Sequence, residues 1–328
     1  MRGAVIVPDE NKKLYLSKAA SQQRPEIDCD HSVDYWATAL KCDLWKGTLF
    51  SDKIDVYDWV LINLNSCMWD LAIELKEKLP KLKVIGLYEG SLDSVCYYST
   101  EEKRKFIQAI RAIDCLGSLI EQGNIFHSLF TDKPVVWLGV PFPINFVKSF
   151  RKSLEEKRLN KKIAMGSAIN HKNTITSFLA ASKTLPNYTI MLQSFDSKDN
   201  DFTRELSPTV EIHTPLIWVE YLELYSRSYM CVSLCNRYTW GRINLDMAAL
   251  GIPVIGTRGC ETQEYLFPLT TVRDPFKDVE NTMKLAEKLD ADLDFYNNVV
   301  EMSNLRLDKY SIESAVQRFN LILNSLFE

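Results

Sequence analysis

The sequence is poor in the features that fix a functional class at a glance. Glycine is scarce, with 12 in 328 residues, and no GxGxxG pattern occurs, so a dinucleotide-binding dehydrogenase loses its main warrant. No apolar run approaches the ~18 residues of a membrane-spanning helix. The net charge of −4 and a pI near 5.7 leave no broad electrostatic footprint for nucleic acid, although a local basic channel is compatible with both. The 8 cysteines are scattered, and Cys231 and Cys235 have no His or second Cys pair beside them, so neither a disulfide framework nor a zinc site is expected. No secretory leader pattern opens the chain. Reduced, buried thiols in a cytoplasmic protein, at most peripheral to a membrane, are the expectation. Internal repeats and low-complexity stretches are also missing.

What is present begins with length. A chain of 328 residues that is 46% hydrophobic is expected to form two domains of about 150 residues, each with its own core. Short apolar runs alternate with amphipathic stretches, which reads as an α/β chain. In the first half, strands are expected at 3–8, 55–63 and 82–87, the last followed by Glu89 and by Gly90, which would allow an unusual backbone there. Helices are expected at 32–40, with Ser32 as N-cap, and at 66–79, ended by Pro80. Two more, at 101–114 and 119–130, flank the apolar stretch 113–119. The run 134–143 ends in Gly139, Pro141 and Pro143 and marks the last strand of a first domain. The charged segment 146–162 reads as a helix and connector with a solvated face.

The second half is more sharply punctuated. Strands are expected at 163–167, 188–193 and 210–213, with helices running to Lys183 and over 215–228. His213, near a strand end, is a candidate for touching a nucleotide base, and a partly buried structural histidine is the competing reading. The densest pattern is 233–257, SLCNRYTWGRINLDMAALGIPVIGT. An apolar strand at 229–234 runs into a polar loop, then into a helix with apolar Ile243, Leu245, Met247, Ala248 and Leu250. Gly251 and Pro253 close that helix, and 254–257 forms another buried strand. Strand, loop, helix and strand in this span form a βαβ unit, which implies a parallel sheet with ligands outside the carboxyl ends of its strands. Backbone N–H groups from Gly241 to Ile243 are placed to receive a phosphate or another anion. A short strand at 270–273, helices at 278–289 and 292–303, and an amphipathic helix over 310–326 complete the chain.

The 233–257 stretch resembles the carboxyl-terminal signature of the GT-B nucleotide-sugar glycosyltransferases, in particular the retaining, family 4-like group related to glycogen synthase and bacterial mannosyltransferases. Trp240-Gly241 stands at that signature's Phe-Gly, and DMAALGIPVI from Asp246 matches its second half. The family's paired glutamates fall on Tyr238 and Asp246. The resemblance implies that Asp246 accepts hydrogen bonds from the donor ribose. Gly166, Ser167 and Lys172 occupy the family's Gly, Arg and Lys, so Lys172 is the expected diphosphate contact, with Arg237 or Arg242 replacing the missing arginine. Glu89 stands where the family often carries a histidine that points at sugar or acceptor. Gly259 and Glu264 match the loop and helix that follow the signature.

Implied is a GT-B fold, two Rossmann-like doubly wound domains facing across a cleft. An acceptor domain would occupy 1–145 and a nucleotide-sugar-binding domain 146–310, with a helix at 311–328 returning to the first. The implied activity is hexosyl transfer, with retention and without metal or cofactor, from a UDP- or GDP-sugar to a glycan, lipid or small molecule. Lys172 and Glu89 would carry the catalysis. A non-catalytic binding or scaffolding relative, and a transferase acting on modified DNA, remain as alternatives.

Overall fold

The computed structural model describes residues 1–23, 33–166, 174–194, 204–205 and 209–328. They form two compact units, Met1–Pro143 with Lys309–Glu328, and Ile144–Asp308.

In the first unit the strands are β1 (Gly3–Val7), β2 (Tyr15–Lys18), β3 (Asp43–Lys46), β4 (Trp59–Asn63), β5 (Lys83–Tyr88), β6 (Cys115–Ser118) and β7 (Val135–Trp137). They lie side by side in the order β2-β3-β1-β4-β5-β6-β7. All neighbours are parallel except β2 and β3. Every residue of β1 and β4 is buried, as the near-continuous apolar runs of strands covered on both faces require. Helices Trp69–Lys78 and Thr100–Ala112 cover one face, with Trp69 and Phe106 at the centre of the apolar core. A capping box starts the second of these helices: Ser99 Oγ accepts from Glu102 N at 3.2 Å while Glu102 Oε2 accepts from Ser99 N at 2.7 Å. The closing helix Ile312–Phe327 belongs to this unit, and its Phe319 ring sits 5.5 Å from Trp36 and 5.0 Å from Trp59.

Three expectations are corrected here. The strand expected over 55–63 begins only at Trp59, because Asp58 turns the chain: its carboxylate accepts from Arg2 N at 2.6 Å and its carbonyl from Lys83 N at 3.0 Å. Asp52–Val56 before it is a 3-10 turn. The apolar stretch 113–119 contains strand β6, and the helix after it is confined to Gly123–Ser128. Ser32, the expected N-cap, lies outside the described residues.

The second unit carries β8 (Lys162–Met165), β9 (Thr189–Gln193), β10 (Glu211–His213), β11 (Met230–Ser233), β12 (Val254–Thr257) and β13 (Thr271–Val272) in the order β10-β9-β8-β11-β12-β13. All its strand pairs are parallel. This is the doubly wound order, in which the chain builds outward from β8 on one side and then restarts beside it with β11.

The charged segment before β8 exposes Arg151, Glu155, Glu156, Arg158 and Lys161 as the solvated face expected, and Lys157 is the exception. The segment forms helices Ile144–Lys148 and Leu154–Asn160, and Lys157 in the second is only 2% exposed. Its Nζ donates to Leu250 O at 2.7 Å and to Gly251 O at 2.8 Å, capping the carboxyl end of helix Arg242–Leu250. Burial, helped by the neighbouring Arg151, pulls the ammonium from 10.5 down to about 7. The unfolded chain therefore holds a proton on Lys157 between about pH 7 and 10 that the folded chain has released, so this residue makes stability rise with pH across that window. We predict that chemical denaturation of wild type and Lys157→Met diverges by up to a few kcal/mol from pH 7 to 10, wild type gaining. Parallel pH profiles would show that the buried lysine keeps its charge.

Candidate active site

The strand order reverses between β8 and β11, and in open α/β sheets the place outside the carboxyl ends of the strands at such a reversal is where ligands bind. Gly166 directly follows β8, and a Cβ built there would meet Ser233 Oγ at 3.4 Å and Ile243 Cδ1 at 3.9 Å. The end of β8, the end of β11 and the first turn of helix Arg242–Leu250 thus converge at this point.

That helix starts in an unusual way. Gly241 has φ +76°, and a Cβ there would lie 2.4 Å from Thr262 Oγ1. Only glycine tolerates both the left-handed backbone and the missing space. Thr262 Oγ1 donates to Gly241 O at 2.8 Å and accepts from Asn244 Nδ2 at 3.1 Å, which locks the turn. Asn244 N donates to Gly241 O at 3.1 Å, and no side chain of the described residues caps the helix, so the N–H groups of Arg242 and Ile243 are open to an incoming acceptor. Asn244 Oδ1, in the same turn, is buried and has no hydrogen-bond partner among the described residues.

Asp246 lies one turn further along and is 3% exposed. Its Oδ1 accepts from Trp218 Nε1 at 3.2 Å, the Trp218 ring carries the Arg242 guanidinium 5.0 Å from its centre, and Phe146 packs against the same ring at 5.6 Å. Burial lifts the Asp246 carboxyl from 3.8 to about 6, against the opposing pull of Arg242 and Trp218. Trp218 lies in the helix expected over 215–228, where it reads as an ordinary apolar position, and no local signal marks it as the partner of the signature carboxylate.

The other expected residues scatter around this core. Tyr238 is 60% exposed on the loop before the helix, with Arg237 and Trp240 half-buried beside it. That loop is laced to the one after β12: Thr239 N donates to Gly259 O and Glu261 N to Thr239 O, both at 2.9 Å. A Cβ on Gly259 would meet Arg237 O at 2.8 Å, so the close approach there is made by the chain's own backbone. Glu264 is half-exposed and pairs with Arg258 at 3.2 Å. His213 ends β10, two strands from β8, and its Nε2 lies 3.8 Å from Glu211 Oε2, a carboxylate held by Lys162 at 2.8 Å. Ser167 and Lys172 lie outside the described residues.

In the first unit the same sheet logic puts the reversal between β1 and β4. Glu89 follows β5, and its Oε2 accepts from Asn63 Nδ2 at 2.7 Å. Gly90 was expected to permit an unusual backbone. It has no positive φ, and its lack of a side chain instead leaves room for the Tyr88 ring, whose hydroxyl would lie 2.3 Å from a Cβ. Among the described residues no group of three or more His, Cys, Asp or Glu could hold a metal ion, and no helix is long and apolar enough to cross a membrane.

No protein-family model and no curated protein matches the sequence. Solved structures do match in fold. Sucrose-phosphate synthase of Thermosynechococcus elongatus superposes with a TM-score of 0.73 at 12% identity, covering 100% of this chain and 99% of that one. HepE of Anabaena, solved with UDP-glucose, gives 0.73 at 10% identity over 98% of this chain and 99% of that one. An alpha-glucosyltransferase solved with UDP-glucose and DNA containing an abasic site gives 0.65 at 14% identity over 100% of both chains. The fold is GT-B, with two parallel-sheet Rossmann-like units.

The raised Asp246 carboxyl has a consequence with a definite sign. The folded chain holds this proton between about pH 4 and 6 where the unfolded chain has lost it, so the group's contribution to stability declines as pH rises through that interval. Asp246→Asn should melt at or above wild type at pH 7 and lose that advantage as the pH is lowered to 4. A variant that melts well below wild type at pH 7 would mean that the hydrogen bond and the Arg242 charge outweigh the cost of burying the carboxylate.

Proposed function

We propose that the protein is a glycosyltransferase that takes a nucleotide sugar, with UDP-glucose as the first candidate, at the carboxyl edge of β8 and β11. The observation that carries this reading is the convergence of Gly166, Ser233 and the uncapped start of helix Arg242–Leu250 at the strand-order reversal. Unsatisfied N–H groups at a helix start, with the positive end of the helix dipole behind them, suit a diphosphate. Asp246 supports the reading from another side. A carboxylate kept in a buried setting that raises its pKa is what a site that binds hydroxyls would retain, whereas a purely structural position has apolar alternatives of lower cost. Structures of the same fold solved with UDP-glucose make the uridine nucleotide the donor to try first.

In this reading the second unit binds the donor, with Lys172 supplying a cation to the departing diphosphate on the strength of its place in the sequence pattern. The first unit binds a glycan, lipid or small-molecule acceptor, and Glu89 meets the acceptor hydroxyl or the transferred sugar. Transfer proceeds with retention and without a metal, charge on the leaving group being met by the helix start and Lys172. Transfer to DNA is a second reading, since one like structure was solved with DNA. It predicts salt-sensitive retention of duplex DNA.

The direct test is a thermal-shift series with UDP, GDP, ADP, CMP and their sugar conjugates. A ligand at about 100 times its Kd adds about 2.7 kcal/mol to the folded state, enough for a rise of several degrees. A shift with UDP or UDP-glucose is expected, and no shift with any nucleotide would remove the donor site. Lys172→Ala should weaken nucleoside diphosphate binding by about 1.5–3 kcal/mol, measured by calorimetry. Unchanged affinity would strike Lys172 from the site.

A further inference from the structure

We propose that Asn63 is a positioning residue for Glu89, fixing the carboxylate at the end of one strand through an amide at the end of its neighbour. The inference rests on the role given to Glu89 above.

Asn63 ends β4, directly after the apolar run Trp59-Val60-Leu61-Ile62, and is 0% exposed. A primary amide buried there is costly unless both its oxygen and its nitrogen are hydrogen-bonded. Both are. Asn65 N donates to Asn63 Oδ1 at 3.2 Å, and Asn63 Nδ2 donates to Glu89 Oε2 at 2.7 Å. Because the Asn65 N–H is a donor it must meet the oxygen, so the amide is oriented with its nitrogen toward Glu89.

The two bonds have different requirements. The first closes the turn that leaves β4, and an aspartate would serve it equally. The second needs the amide nitrogen, since an aspartate would set two carboxylates side by side. The identity of the residue as asparagine is therefore accounted for by Glu89 and not by the turn.

Rigidity completes the argument. β4 and β5 are in register up to Asn63 opposite Leu87, and Leu64 N then donates to Leu87 O at 2.8 Å, which ties the two strand ends together just where both side chains depart. Glu89 follows β5 by one residue, and holding Oε2 sets the plane of the carboxylate and hence the direction of Oε1. A charged group oriented from rigid strand ends, beside the β1 and β4 reversal, is a construction suited to presenting a carboxylate to a bound hydroxyl.

The experiment is a double-mutant cycle read on two observables. Nucleotide affinity is measured by calorimetry with UDP, and turnover is measured as UDP release from UDP-glucose with water as acceptor. The chains compared are wild type, Asn63→Leu, Asn63→Asp, Glu89→Gln and Asn63→Leu with Glu89→Gln. Asn63→Asp keeps the acceptor that the turn needs and Asn63→Leu adds no charge, and a melting curve for each variant establishes that it is folded before kcat is compared. The expected result is UDP affinity within twofold of wild type for every variant, and kcat lowered by about tenfold or more in both Asn63 variants. KM for UDP-glucose should change by less than about threefold. The double variant should be no slower than Glu89→Gln alone, because a residue that acts only through Glu89 has nothing left to position. Multiplicative loss in the double variant, or unchanged kcat in Asn63→Asp, overturns the inference and leaves the donor site intact. Wild-type protein that binds UDP but releases none from UDP-glucose also overturns it. Absence of UDP binding in wild type instead removes the donor reading itself.

Discussion

Helix Arg242–Leu250 is held at both ends, and those two attachments set the geometry on which the second unit depends. At its start, left-handed Gly241 is fixed by the Thr262 hydroxyl, which holds the Gly241 carbonyl and the Asn244 amide together. At its end, left-handed Gly251 and the buried Lys157 ammonium take up the last carbonyls. The carboxyl end is thereby supplied with donors while the amino end is left with N–H groups that no side chain satisfies. The asymmetry is electrostatic as well as geometric. Donors from Lys157 and the Gly251 backbone meet the negative pole, and the positive pole is left facing Gly166.

The buried polar groups divide into those that secure the scaffold and those that are left in tension. Lys157, Thr262 and Thr270 spend their hydrogen bonds on backbone carbonyls, and each joins segments that the apolar core alone would leave free to slide. Asp246 and Asn244 differ. The carboxyl is pushed toward neutrality by burial and accepts a hydrogen bond at 3.2 Å from Trp218, and the Asn244 oxygen is buried without a partner among the described residues. Both face the first turns of the same helix. Unmet polar demand is not confined to this helix, since Gln263 Oε1 and Tyr225 Oη are also buried without a partner among the described residues, but here it coincides with a helix start that no side chain caps.

Much of this was legible in the sequence because several independent signals coincide over 233–257. Apolar strand, polar loop, helical period, Gly-then-Pro stop and second strand allow only a βαβ unit, and the elements observed, Met230–Ser233, Arg242–Leu250 and Val254–Thr257, agree with it. What stayed hidden depends on contacts between distant residues. Lys157 reads as one charge among many, and its burial is decided by carbonyls 93 and 94 positions away. Trp218 looks like an ordinary apolar helix residue until Asp246, 28 positions on, is brought to its indole. Strand β6 is four residues long and sits between helical patterns, so no local period separates it from them. The edge strand β2 and its neighbour β3 are likewise too short to show a period, and β2 is largely exposed besides.

The two units solve the same topological problem with different chemistry. Each parallel sheet reverses its strand order beside its first strand, at β1 and β4 in one unit and at β8 and β11 in the other. In the second unit the strand ends at the reversal carry nothing larger than Gly166 and Ser233, so the backbone of the following helix is what a ligand meets. In the first unit the corresponding strand end carries Asn63, and through it Glu89, so a ligand there meets an oriented carboxylate. Backbone N–H groups recognise anions and carboxylates recognise hydroxyls. In the proposed transfer the acceptor hydroxyl would attack the anomeric carbon of the sugar while the diphosphate leaves with its charge held, and the chemistry at each reversal suits one of those two tasks.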